Sequence, residues 1–272
     1  MTRSNPRLAL PLFLVLAFCL SWYPWALHVL VRPGNPNPNP LGLLLAALFA
    51  AAVSGGWRES VAILKAMVRV RVSPVLWLAV VAIPVGALAV AAAIAAPFGI
   101  SVQPTAIDWS DVLDRFLIAL LFVALGEEPG WRGFLQPVLQ GRMSVLRATW
   151  CVAAVWAVWH APLFGSEFAW KVVPAFLVSV VAATVVLAWL RNAARGSVLL
   201  PMLMHATVNT VGAGLVFHWV AEDRFTLFWY LYAGVWATFA LALIALTRGS
   251  LGYQPENRSQ RSSTSGAVPS TT

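Results

Sequence analysis

Charge is what this sequence has least of. Only 10% of its 272 residues are Asp, Glu, Lys or Arg, while 60% are hydrophobic. A soluble domain carries about 25% charged residues and about 45–50% apolar ones, so a water-facing globule is excluded. Cysteine is scarce too. Cys19 and Cys151 lie inside apolar segments, spaced like core residues, and imply neither a disulfide framework nor a metal knuckle. Apolar and polar residues do not alternate, which argues against an outer-membrane barrel. No internal repeat is visible. G-x-S-x-G and H-E-x-x-H are both absent, so neither a serine-elbow hydrolase nor a standard zincin is supported. The net charge of +8 does not point to a nucleic-acid partner. The positive residues are scattered between apolar segments, where orientation signals belong.

What is present is a series of long apolar runs. They predict an all-α fold: a polytopic membrane protein of about eight transmembrane helices enclosing an intramembrane polar cavity. Residues 8–31 form the first span, and S-W-Y-P-W-A-L-H offers no signal-peptide cleavage pattern. The P-G-N-P-N-P-N-P stretch at 33–40 is a turn or extended loop. Residues 41–53 are the shortest candidate span, short enough to be re-entrant. Residues 56–72 mix Trp57, Arg58, Glu59, Lys65 and Arg69 with Val61, Ile63, Leu64 and Val68, the pattern of an amphipathic helix at the membrane surface. Further spans are predicted at 74–96, 112–139, 145–164, 172–190, 197–219 and 225–246. A polar loop is expected at 98–114 and a basic connection at 141–147. The predicted organisation is an N-terminal helical region with the amphipathic segment (1–110), a core carrying the chemistry (111–248) and a disordered tail (249–272).

Charge fixes an expected orientation. With all eight segments crossing and the N-terminus in the cytoplasm, thirteen basic residues fall inside and four (Arg32, Arg115, Lys171 and Arg224) outside. Six of the ten acidic residues also fall outside. Omitting the short second span would invert everything after it. A multi-pass protein of the cell membrane with both termini cytoplasmic is therefore expected.

Ionisable groups left within the membrane are functional-site candidates by default. These are Glu127, Glu128, Arg132, His160 and His205, with His28 and His218 nearer the ends. At 1.5 Å per residue, Glu127 lies roughly 22 Å from Arg142, His160 roughly 20 Å from Arg147 and His205 roughly 15 Å from Arg195. Three distant segments thus bring polar groups to similar depth, which suits one shared site. Glu128 and Arg132 are spaced i,i+4 and can pair on one helical face, where Arg132 simply neutralises the acid. Glu127 then faces about 100° away and needs another partner. Gly126, Pro129 and Gly130 weaken the helix here and can open it to water or to backbone approach. Trp156 and His160 are i,i+4 on the fifth predicted span. His205 and Asn209 share a stripe on the seventh.

A Glu, two His and an Asn in a dry cavity suit amide hydrolysis. That reaction needs an activated water, an oxyanion stabiliser and a proton for the leaving amine. A carboxylate stripped of water is a stronger base than an exposed one. Glu127 could activate the water and His160 help to hold it, while His205 and Asn209 could stabilise the oxyanion. A zinc ion at Glu127, His160 and His205 would have acceptable ligand chemistry, and spacing leaves it open. Two other classes also stay open: a non-catalytic membrane partner, such as a bacteriocin self-immunity protein, and a proton-coupled transporter using the same groups as a relay.

The residues themselves resemble a known family. E-E-P-G-W-R-G-F-L-Q-P-V-L-Q, from Glu127, resembles the E-E-x-x-x-R motif of the CPBP intramembrane proteases, which include the type II CAAX prenyl endopeptidases and the Abi-like proteins. W-A-V-W-H, ending at His160, is similar to the family's F-x-x-x-H with Trp for Phe. H-A-T-V-N, His205 to Asn209, matches H-x-x-x-N. The resemblance covers roughly residues 111–216. It implies a glutamate-dependent endopeptidase in which Glu127 is the base, His160 its partner on the water, and His205 with Asn209 the oxyanion site. Glu128 and Arg132 support the motif. The implied partner is a peptide or protein substrate, prenylated or membrane-associated, met in the lipid bilayer. No cofactor is required on the preferred mechanism.

Overall fold

The structure is a computed structural model, and it describes residues 8–31, 37–102, 107–212 and 214–254. The basic residues 1–7, the first half of the Pro/Asn loop and the tail from 255 onward lie outside the described residues. Apart from two isolated bridges, the described backbone is helix, turn or irregular connection. The helices are α1 (Ala9–Leu30), α2 (Leu41–Gly55), α3 (Trp57–Met67), α4 (Pro74–Ala95), α5 (Trp109–Ile118), α6 (Leu125–Glu128), α7 (Gln136–Gln140), α8 (Val145–Trp159), α9 (Val173–Ala193), α10 (Leu199–Val211) and α11 (Phe225–Leu246).

Among the described residues, five segments have the length and apolar composition to cross a membrane: Ala9–Leu30, Pro74–Phe98, Val173–Ala193, Leu199–Trp219 and Phe225–Leu246. Their outward faces carry large apolar side chains, among them Val15 and Leu27 on α1, Leu78 and Val81 on α4, and Leu241 on α11. Such a surface belongs in hydrocarbon, where the helix also satisfies its own backbone. The chain is an all-α, polytopic membrane protein. The other three predicted spans are helical but shorter or interrupted. α2 and α8 have 15 residues each, about 22 Å against a hydrocarbon core of about 30 Å. The fourth, residues 109–140, is one helical run in which π-helical turns at Ala119–Ala124 and Pro129–Leu135 separate α5, α6 and α7.

Several expectations change. The loop expected at 98–114 ends earlier, because α5 starts at Trp109. The Asp108 side chain accepts from the Ser110 N–H at 2.9 Å and from the Ser110 hydroxyl at 2.6 Å. These bonds hold its carboxyl below the usual carboxylate range. Asp111 pairs with Arg115 at 2.7 Å. The acidic residues are thus the cap and first turn of a helix. The fifth span ends as an α-helix at Trp159, with Pro162 in a 3₁₀ turn beyond it. The seventh ends at Val211, where Gly212 breaks the winding ahead of a short 3₁₀ turn at Val216–Trp219. The expected tail begins packed: Leu251 is fully buried, and its carbonyl accepts from Asn192 Nδ2 at 3.2 Å. Cys19 and Cys151 are free and face outward instead of into the core; at a lipid-facing surface apolar character does not distinguish inside from out. Of the amphipathic stretch 56–72, residues 57–67 are α3, which turns Ser60 and Ile63 inward and leaves its charges exposed.

Packing explains the interrupted fourth segment. α2 lies against α1, α3, α6 and the π turn that follows α6. A Cβ on Gly126 would come within 2.5 Å of the Pro40 carbonyl carbon, and one on Gly130 within 3.0 Å of Leu43 Cβ. These glycines let two backbones approach closely. Of the two consequences expected of them, backbone approach is visible in this packing. α4 packs on α10 and α11, and α9 on α8 and α11.

Candidate active site

Glu127 and Glu128 sit on a short α-helical turn between two π turns, a geometry frequent at functional sites. Both are buried, as are Arg132, His160 and His205. Adjacent helical residues point in different directions, and the two acids accordingly meet different partners. Glu128 Oε1 accepts from Arg132 Nη1 at 3.1 Å and from His205 Nδ1 at 2.8 Å. Glu127 Oε2 accepts from Trp156 Nε1 at 2.7 Å and from Trp131 Nε1 at 3.4 Å.

Trp156 is the hinge of the arrangement. It holds Glu127, lies under the Arg132 guanidinium (4.4 Å from Cζ to the ring centroid), and touches both imidazoles at ring separations of 5.5 Å. The cation–π contact and the Glu128 pair together compensate a guanidinium with no exposure at all. The expected Glu128–Arg132 pair is therefore present, but neutralising Arg132 is only half of what Glu128 does: it also orients His205.

The histidine tautomers follow from their partners. His160 Nδ1 lies 2.8 Å from the Trp156 carbonyl oxygen. A carbonyl only accepts, so Nδ1 carries the proton and Nε2 offers a lone pair. His205 Nδ1 likewise donates to the Glu128 carboxylate, and a carboxylate there compensates a second proton on Nε2. A cavity of about 130 Å³ opens beside them, lined by His160, His205, Asn209 and Trp156 at one end and by aromatic side chains such as Phe176 and Trp229 elsewhere. That is room for several waters.

The structure thus gathers Glu127, Glu128, Arg132, His160 and His205 around one indole, and places Asn209 on the cavity wall with the two histidines. Sequence reasoning did not give Trp131 and Trp156 the role of holding Glu127. For Trp131 the i,i+4 spacing from Glu127 was a usable signal; for Trp156 none was, since the contact joins two helices. Among the described residues, no three His, Cys, Asp or Glu side chains stand in a metal-ligand arrangement. In the Glu127/His160/His205 set, Glu127 Oε2 is engaged by two indoles and His205 Nδ1 by Glu128.

Residues 109–211, which carry every one of these groups, match the family described as type II CAAX prenyl endopeptidase Rce1-like. Over 102 residues the chain is 28% identical to CAAX prenyl protease 2 of Methanococcus maripaludis. The comparisons support a CPBP family assignment. The similarity to the archaeal protein covers 34% of this chain and 38% of that protein's length. The family match speaks for the segment from α5 to α10, where the three motifs lie.

Proposed function

We propose that the chain is an intramembrane endopeptidase that hydrolyses a peptide bond with an activated water. The observation that carries this is the convergence of Glu127, His160 and His205 on Trp156 beside a cavity that the two histidines line. Glu127 acts as general base, its Oε2 fixed by two indole N–H groups. His160 Nε2 accepts a hydrogen bond from the same water. His205 Nε2, backed by Glu128, and Asn209 donate to the developing oxyanion. The residues Glu128, Arg132 and Trp156 position these groups. Metal dependence is decided by a chelator.

The relative's printed name supports a prenylated peptide as substrate, and the aromatic cavity wall would accept an apolar chain. The bilayer brings such a substrate to the protein. The cell membrane, with both termini cytoplasmic, is the proposed setting.

Purified protein in liposomes, given prenylated and unprenylated peptides, tests the reading. Replacing Glu127, His160 or His205 by Ala is expected to lower kcat by about 10²–10⁴-fold, and Asn209→Ala by about 10²–10³-fold. Full cleavage by Glu127→Ala would falsify the mechanism and favour a non-catalytic partner. Unchanged activity after chelation is the expected result; loss restored by added zinc would move Glu127, His160 and His205 to metal ligands.

A further inference from the structure

A row of buried polar side chains runs on from Glu128 and Arg132 beyond the groups that chemistry uses. Glu128, Arg132, Gln136 and Gln140 follow at intervals of four along the fourth helical run, and all are buried. In a pure α-helix such positions drift by about 40° per step. The π turn at Pro129–Leu135 winds more widely and offsets part of that drift. Gln136 Nε2 donates to Asn192 Oδ1 at 3.1 Å and to the Ala188 carbonyl at 3.3 Å. Asn192 Oδ1 also accepts from Arg191 Nη1 at 3.4 Å.

Other polar atoms of this stripe are buried without a protein partner: Glu128 Oε2, Arg132 Nε and Nη2, Gln136 Oε1, both amide atoms of Gln140, and Arg191 Nε. Buried polar groups are ordinarily satisfied by protein or by ordered water. Of eleven such atoms among the described residues, six lie on this stripe and a seventh on Arg191 of α9 beside Asn192; the others are Ser21 Oγ and three indole N–H groups. Through Gln136 the line reaches Asn192, next in sequence to Ala193 and Ala194, which line an open pocket of about 420 Å³ with Arg71, Ser73 and Arg195.

We infer that this stripe holds a column of ordered water running from the arginine-lined pocket to the Glu128–His205 pair. The inference rests on the hydrolytic reading only for its purpose: water arrives from one side while the substrate occupies the aromatic cavity on the other. Gln136, Gln140 and Asn192 are positioning residues for this water, and none of them touches the reacting atoms.

The test is water-edited solid-state NMR on the isotope-labelled full chain in lipid vesicles, with water itself as the probe. Polarisation from water is expected to reach Arg132 Nε and the Gln136 and Gln140 side-chain amides several-fold faster than the backbone amides of Leu43 and Ala46, which are wholly buried in apolar surroundings. Equal, slow transfer at all of these sites overturns the column. Gln140→Leu removes no protein hydrogen bond, so the variant should fold, and it is expected to slow transfer at Arg132. Unchanged transfer there overturns continuity. The same variant is expected to lower kcat several-fold at constant KM, and an unchanged kcat despite lost transfer overturns a role in supply. A wet stripe in a protein that cleaves nothing keeps the column and removes the peptidase reading. A dry stripe in an active peptidase does the reverse.

Discussion

Glu128 binds Arg132 and His205 through a single oxygen, whereas Glu127 is held by two indoles. The two acids should therefore fail differently. An indole N–H can donate to an amide oxygen as well as to a carboxylate, so Glu127→Gln keeps its neighbours and loses only basicity. Glu128→Gln leaves a fully buried guanidinium without the carboxylate it is bonded to, a change that costs about 3–5 kcal/mol. The expected outcome is an inactive Glu127→Gln that melts like the wild type, and a Glu128→Gln that melts markedly lower. Melting followed in detergent, beside cleavage, reads both. Equal melting of the two variants would show that Glu128 does not hold the charge of Arg132. Arg132→Lys belongs to the same set. It retains the charge but loses the planar group over Trp156, worth about 0.5–2 kcal/mol, and should fall between the two in stability.

At the scale of elements, the site depends on how closely the turn bearing the acids can approach α2. Gly126 and Gly130 face the start of α2, and a methyl group at either has no free space. Gly126→Ala is expected to destabilise by about 1–3 kcal/mol, as overpacking usually does, and to reduce cleavage by shifting both acids. Gly130→Ala should be milder, because its nearest obstacle is a side-chain atom at 3.0 Å, not backbone at 2.5 Å. Gly86→Ala and Gly234→Ala, with nothing within 4 Å, are the controls and should be neutral. If Gly126→Ala melts with the controls, close approach is not what fixes the acids. Much of this element was legible: E-E-P-G-W-R-G-F announced a buried pair, an i,i+4 neutralisation and weakened winding. The start of α5 was legible as well, since Asp108, Ser110 and Asp111 are cap and first-turn residues; reading their polarity as loop hid it. The π turns were not legible, because a shift from i−4 to i−5 bonding leaves no trace in hydrophobic period. Nor was the Glu128–His205 contact, which exists only once α6 and α10 are packed.

At the scale of the whole molecule, contacts between connecting segments sort the chain into two ends. Arg69 Nη1 donates to the Arg195 carbonyl, Ser197 Oγ to the Arg69 carbonyl and Val198 N to the Ala66 carbonyl. Asn192 meets Leu251, and a Cβ on Gly249 would touch Leu146. These residues form one end. At the other, Val102 bridges Val220 and the Tyr230 hydroxyl donates to the Lys171 carbonyl. The first end is where the basic connections fall when all eight segments cross, and the second is where they are sparse. The short α2 fits that scheme, because it begins part-way through: Asn39 N donates to the carbonyl of Ser21 near the middle of α1. A helix of 15 residues then has only the remaining depth to cover. Each contact requires an even number of crossings between its partners, so α8 must cross if 109–140, α4 and α9 do. Reporter fusions after Arg71, Arg147 and Arg195 are therefore expected to share one side, the cytoplasm. Fusions after Lys171 and Arg224 should report the other. A fusion after Arg71 opposite to one after Arg195 would break the parity that the Arg69–Arg195 contact demands. If all five reported the reverse of the predicted sides, the fold would stand and the arginine bias would not be what orients it.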